Sequence, residues 1–149
     1  DKIRFIHQTG SQDAATVADG YGRHGIKAEV TTFIVDMAAA YQSSDILICR
    51  AGATSIAEIT ASGKAAVLIP FPYAVNDHQT KNAEVLVRAG AARMIPESGL
   101  DGRIMAETIQ ELCRQPEAVR SMEKASALLG NSNAASDIVN ACMELTGRI

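Results

Sequence analysis

The chain has 149 residues, 47% of them apolar and 21% charged, with 17 acidic side chains against 14 basic ones. That length fits one domain able to bury about 70% of its unfolded surface, and the composition excludes a disordered or fibrous chain. A formal charge of -3 and the lack of a basic run argue against nucleic acid as the main partner.

The chain opens Asp1-Lys2-Ile3-Arg4-Phe5-Ile6, without Met, and enters an apolar run at once, which is the opening expected of a piece cut from something larger. No signal peptide opens the sequence, and no apolar run approaches the roughly 18 residues of a membrane span. Apolar runs predict strands over 3–7, 29–33, 45–49, 65–69 and 92–95. Between them, helical character covers 13–24, 37–43, 55–62 and 79–89. This alternation predicts an α/β fold, a Rossmann-like parallel sheet with helices on both faces. The runs at 46–48 and 66–69 are continuously apolar, as strands buried on both faces should be. Gly63 and Gly90 stand where helices should stop. After Pro96 the pattern is helical only: 101–114, then Pro116 as a first helical residue with a helix to 129, and a last helix over 134–145. The break Gly130-Asn131-Ser132-Asn133 separates the last two. Cys49, Cys113 and Cys142 are odd in number, far apart and without a CxxC pair. They read as free thiols in a reducing compartment.

In open α/β sheets ligands lie outside the carboxyl ends of the strands. Four loops therefore matter: Gln8-Thr9-Gly10-Ser11, Ile34-Val35-Asp36-Met37, Arg50-Ala51-Gly52-Ala53, and the long polar loop from Pro70 to Gln79. The third joins an apolar strand to a helix through small residues. Such a junction aims backbone N–H groups, at the positive end of the helix dipole, toward an anion. Glu58, one turn into that helix, shares a face with Thr54. A carboxylate would repel a phosphate but suits a pair of sugar hydroxyls beside it, so the junction points to a nucleotide-sugar pocket. The plain alternative is a routine strand-to-helix turn with a solvated Glu58.

The other motifs read more narrowly. Gly20-Tyr21-Gly22-Arg23-His24-Gly25 spells GxGxxG, but it ends a helical segment and leads into a strand, the reverse of a dinucleotide fingerprint. A helix stop and turn fits it better. In the fourth loop Asp77 suits a helix cap, which would place His78 and Gln79 at the helix start facing the crevice. No second His or Cys has metal-ligand spacing, and no Gly-x-Ser-x-Gly elbow exists. His7 is expected to be a satisfied structural histidine. Phe33, Ile34 and Met37 are either core or an apolar slot for a nucleobase.

Together these segments resemble the MurG family of bacterial glycosyltransferases, which add N-acetylglucosamine to lipid I. The likeness rests on His7-Gln8-Thr9-Gly10, on residues 30–41, on Cys49 to Glu58, on Pro70 to Asn82-Ala83, and on Ala89-Gly90-Ala91-Ala92, nearly the whole chain. The resemblance implies the C-terminal, donor-binding half of a two-domain GT-B enzyme, followed by C-terminal helices. It implies that the backbone of Ile34 meets uracil with Met37 beside it. It also implies that Arg50, Ala51, Gly52 and Ala53 lie near the nucleotide and phosphates, and that Glu58 accepts from the ribose hydroxyls. His78 and Gln79 match positions reading the N-acetylglucosamine hydroxyls, although some relatives carry Gln where His78 stands.

The implied donor is UDP-N-acetylglucosamine, with no cofactor or metal. The acceptor is lipid I, at the cytoplasmic face of the bacterial inner membrane. The chain departs from the family in lacking the domain that holds the acceptor site, the catalytic base and the membrane-facing patch. It also lacks the first strand and glycine-rich loop of its own half. No catalytic residue is therefore assigned here. Two other readings remain: a nucleotide-sugar binding module without transferase activity, and a related sugar-nucleotide epimerase. The latter would need acid and base carboxylates that Glu58 alone does not supply.

Overall fold

The computed structural model describes residues 3–131 and 133–147. Of the segments read from the sequence, Asp1, Lys2 and Ser132 lie outside these. Two compact units are present, one ending at Ser43 and the other beginning at Ser44, and each is described by itself.

The first unit is a strand, helix, strand and short helix: β1 (Arg4–Gln8), α1 (Gly10–Arg23), β2 (Lys27–Thr31) and α2 (Met37–Gln42). β1 and β2 pair in parallel, from Arg4 opposite Lys27 to Gln8 opposite Thr31. Ala14, Val17 and Tyr21 are the half-buried stripe of α1, at the three-to-four spacing of one helical face. The Tyr21 ring stacks on Phe5 at 5.5 Å and meets the His7 ring edge-on at 5.8 Å, while its hydroxyl lies 3.1 Å from His7 Nδ1. His7 thus has the satisfied structural role expected of it. GxGxxG behaves as a helix ending: Gly20 and Gly22 lie in α1, and Gly25 turns out of it at φ +64°.

Two of the boundaries that differ from expectation have a local cause. α1 begins at Gly10, three residues early, because Gly10 adopts φ +75° and turns the chain straight from β1 into the helix. β2 ends at Thr31, where the Thr31 hydroxyl donates to the Phe33 carbonyl at 3.0 Å and the Ile34 N–H donates to Gln8 Oε1 at 2.8 Å. These bonds take the chain out of the ladder before Phe33.

The second unit contains β3 (Ile46–Cys49), α3 (Ala53–Ser62), β4 (Ala65–Leu68), α4 (His78–Arg88), β5 (Ala92–Met94), α5 (Gly102–Arg114), α6 (Pro116–Leu129) and α7 (Ala134–Leu145). Its three strands are parallel in the order β3-β4-β5. All four residues of central β4 are buried, which explains its unbroken apolar sequence. On one face Ala65 and Val67 pack with Ile95, Leu112 of α5 and Met122 of α6. Alternation turns Ala66 and Leu68 to the other face.

Helix ends follow local chemistry. Asp36 and Asp101 cap α2 and α5, accepting from the N–H groups of Ala39 at 2.9 Å and Ile104 at 2.7 Å. Pro116 opens α6, where its missing N–H is no loss. Arg93 of β5 donates two bonds of 2.7 Å to Glu111 of α5. That guanidinium holds the Glu111 carboxyl below the usual carboxylate range, through its hydrogen bonds first and its charge second. α7 has no buried residue, and no helix among the described residues is long and apolar enough to cross a membrane.

The α3–α6 crossing is unusually close. Buried Ser126 donates to the Ile59 carbonyl at 3.4 Å, and a Cβ on Gly63, itself at φ +62°, would lie 3.2 Å from Ala127 Cβ. A Cβ on Gly130 would lie 2.5 Å from the Thr60 carbonyl oxygen, so the chain leaving α6 passes directly over the α3 backbone. Backbone cannot swing aside as a side chain can. Gly130→Ala is expected to destabilise the fold by about 1–3 kcal/mol, measured by denaturant unfolding. A midpoint equal to that of the unsubstituted protein would show that the crossing relaxes freely.

Candidate functional site

Of the nine positions singled out by resemblance, Ile34 and Met37 fall in the first unit and the other seven in the second. Met37 is the first residue of α2 and is half-buried. Ile34 is half-buried just before it, with its N–H already donated to Gln8. Gln8 was not among the expected site residues, though its place at the end of β1 could have flagged it.

In the second unit the small-residue turn after β3 leads to α3, with Gly52 as the N-cap residue. Ala51 is fully buried, and its carbonyl accepts from Asn82 Nδ2 of α4 at 3.0 Å. The helix begins at Ala53, two residues before the sequence predicts, so the N–H groups of Ala53, Thr54 and Ser55 head it. Thr54 and Glu58 are both exposed on α3. Burial, and after it the charge of Glu58, pushes the Cys49 thiol up to about 11. A cavity of about 340 Å³ lies along α3, lined by Ala53, Ile56, Ala57, Thr60 and Asn82 among others. Glu58, His78 and Gln79 are not in its lining.

The fourth loop is bonded into a fixed shape. Gln79 Oε1 accepts from the Phe71 N–H at 3.0 Å, which orients the amide and leaves its NH2 as the donor end. His78 Nδ1 lies 2.8 Å from the Val75 carbonyl. Since a carbonyl only accepts, Nδ1 carries the proton, and in the neutral ring Nε2 is an acceptor. The two exposed ends are therefore opposite in hydrogen-bond sense.

Asp77 does not cap α4 as expected. It occupies the N-cap position at φ +55°, and its side chain makes no cap bond. Asn76 before it has φ +54°. A left-handed backbone at both residues swings the Asp77 side chain off the helix axis. Among non-glycine residues Asn and Asp tolerate this conformation best.

Arg50 is the most connected side chain of the group. Its Nη1 donates to the carbonyls of Ile69 at 3.3 Å and Pro70 at 3.2 Å, and to the Glu97 carboxylate. Its guanidinium carbon lies 5.4 Å from the centre of the Phe71 ring. Glu97 follows β5, a strand end outside the four loops that the sequence points to, although the strand-end rule covers it equally. Among the described residues no group of three or more His, Cys, Asp or Glu side chains could hold a metal ion.

Parallel strands whose carboxyl-end loops carry the polar groups define an α/β protein with its candidate ligand site at the strand ends. The chain belongs to the family described as the glycosyltransferase family 28 C-terminal domain, whose model matches residues 1–140. It is 57% identical over 143 residues to the UDP-N-acetylglucosamine–N-acetylmuramyl-(pentapeptide) pyrophosphoryl-undecaprenol N-acetylglucosamine transferase of Syntrophus aciditrophicus, covering 96% of this chain and 40% of that protein. The protein of the same name from Myxococcus xanthus is 49% identical, with 97% and 38% covered. A crystal structure of Acinetobacter baumannii MurG superposes with a TM-score of 0.89 at 31% identity, covering 95% of this chain and 43% of that one. The chain thus spans about 40% of the length of the curated relatives it matches.

Two outcomes follow from this geometry. At pH 8, thiol alkylation should modify exposed Cys113 and Cys142 while Cys49 persists, its thiolate fraction being about 100-fold below that of a thiol at the ordinary value. Glu58→Gln removes a neighbouring negative charge, so it should lower the Cys49 value and speed its labelling. Labelling of Cys49 as early as the others would contradict the burial. Separately, Asp77→Ala should cost about 1–2 kcal/mol and Asp77→Gly much less. Equal unfolding midpoints for the two variants would argue against the left-handed turn.

Proposed function

We propose that this chain is the donor-binding domain of a UDP-N-acetylglucosamine-dependent transferase that glycosylates lipid I to give lipid II. The observation that carries the reading is the 57% identity over 143 residues to a transferase of that name, with Glu58 on α3 and His78 and Gln79 opening α4. The intact enzyme would work at the cytoplasmic face of the bacterial inner membrane. Its other domain would supply the acceptor site, the membrane contact and the catalytic base.

In this reading the lipid I hydroxyl attacks the anomeric carbon, inverts it and releases UDP. The N–H groups heading α3, beside the turn Arg50 to Ala53, stabilise the diphosphate as negative charge grows on the leaving group. Ile34, its N–H engaged by Gln8, meets uracil through its carbonyl, and Met37 lies beside the base. Glu58 accepts from both ribose hydroxyls, a charge-assisted interaction contributing about 1.5–3 kcal/mol in all. His78 and Gln79 meet the sugar hydroxyls as an acceptor and a donor, an arrangement that orients the hexose for in-line attack.

The test is binding and turnover of UDP-N-acetylglucosamine in the full-length protein carrying this chain. Glu58→Ala should weaken donor binding by about 1–3 kcal/mol, read by titration calorimetry. Unchanged affinity would remove the ribose assignment. Binding without transfer to a lipid I analogue would leave a nucleotide-sugar binding module instead.

A further inference from the structure

We propose that Arg50 and Glu97 form a positioning pair that fixes the loop over 70–79, so that Arg50 governs recognition of the donor's sugar without touching it. The inference deepens the proposed function and rests on it for the identity of the ligand.

Arg50 follows β3, Ile69 and Pro70 follow β4, and Glu97 follows β5. One side chain therefore links three neighbouring strand ends. Its Nη1 serves the Ile69 and Pro70 carbonyls and the Glu97 carboxylate, and its guanidinium faces the Phe71 ring. The backbone then passes the constraint onward. The Phe71 N–H is held by Gln79 Oε1 at 3.0 Å, the Ala74 N–H by the Phe71 carbonyl at 3.2 Å, and the Asp77 N–H by the Ala74 carbonyl at 2.9 Å. The loop is fastened at its start by Arg50 and at its end by Gln79.

All three bonds leave from Nη1, so the pull of Glu97 and the two carbonyls on that one nitrogen sets where the guanidinium sits. The flat guanidinium lies over the Phe71 ring at 5.4 Å, a contact that the compact ammonium of lysine cannot reproduce. The Arg50 and Glu97 side chains are 47% and 38% exposed. Exposed pairs of this kind contribute modestly to stability, so variants should remain folded.

The test compares UDP with UDP-N-acetylglucosamine as ligands of the full-length protein, alongside amide exchange of Phe71 and Ala74 without ligand. Glu97→Gln should speed that exchange and weaken UDP-N-acetylglucosamine by about fivefold while leaving UDP affinity unchanged. Arg50→Ala should widen the ratio of the two affinities by the same factor, with Arg50→Lys restoring only part of it. The double variant should be no worse than either single one. Equal weakening of both ligands by Arg50→Ala would make Arg50 a diphosphate ligand and overturn the proposal. So would wild-type exchange and affinities in Glu97→Gln. If the unsubstituted protein binds neither ligand, the proposed function fails, and the exchange rates alone decide whether the pair holds the loop.

Discussion

A parallel strand buried on both faces has nowhere to place polar chemistry except at its ends, and β4 imposes that condition on the second unit. Its four residues are buried between β3 and β5, with α5 and α6 packed on one face. The polar backbone that emerges beyond Leu68 must then find partners at once. The Ile69 N–H goes to the Cys49 carbonyl at 2.9 Å, and the carbonyls of Ile69 and Pro70 go to Arg50. The strand-end loops are shaped by that demand before any ligand is considered.

The same economy governs the helices around the strand. α3 has to approach α6 closely, and small residues on both make the approach possible: Gly63, Ala127, Ser126 and Gly130. Thr60, buried within α3, satisfies its hydroxyl on its own helix through the Ile56 and Ala57 carbonyls at 2.9 and 3.1 Å. No polar side chain there has to reach for water. Close packing holds the carboxyl-terminal half of α3, while the turn before its amino end is held by the bond from Asn82 to the Ala51 carbonyl.

Much of this was legible in the sequence. Strand and helix order followed from apolar runs and glycine stops, because burial on both faces of β4 leaves an unmistakable run at Ala66-Val67-Leu68. The carboxyl-end rule pointed to the loop holding Arg50 and to the loops that lead into the helices carrying Glu58, His78 and Gln79. What could not be read was how side chains divide their bonds between the fold and the outside. Nothing local in Arg50 shows that its partner is Glu97, 47 residues on, and nothing in Gln79 shows which amide end faces inward. Asp77 carries a cap residue's chemistry at a cap position. Its failure to cap comes from left-handed φ values at Asn76 and Asp77, which propensity alone does not reveal.

The Gln79 amide also bears on how such a loop can change. Its oxygen is committed to the Phe71 N–H, so only the nitrogen is open to variation. Exchanging that nitrogen for oxygen, as Gln to Glu does, would preserve shape and the inward bond while replacing an outward donor with an acceptor. One atom thus separates two opposite polarities on an unchanged scaffold. A lineage could reverse what this spot greets without disturbing β4, α4 or the loop between them.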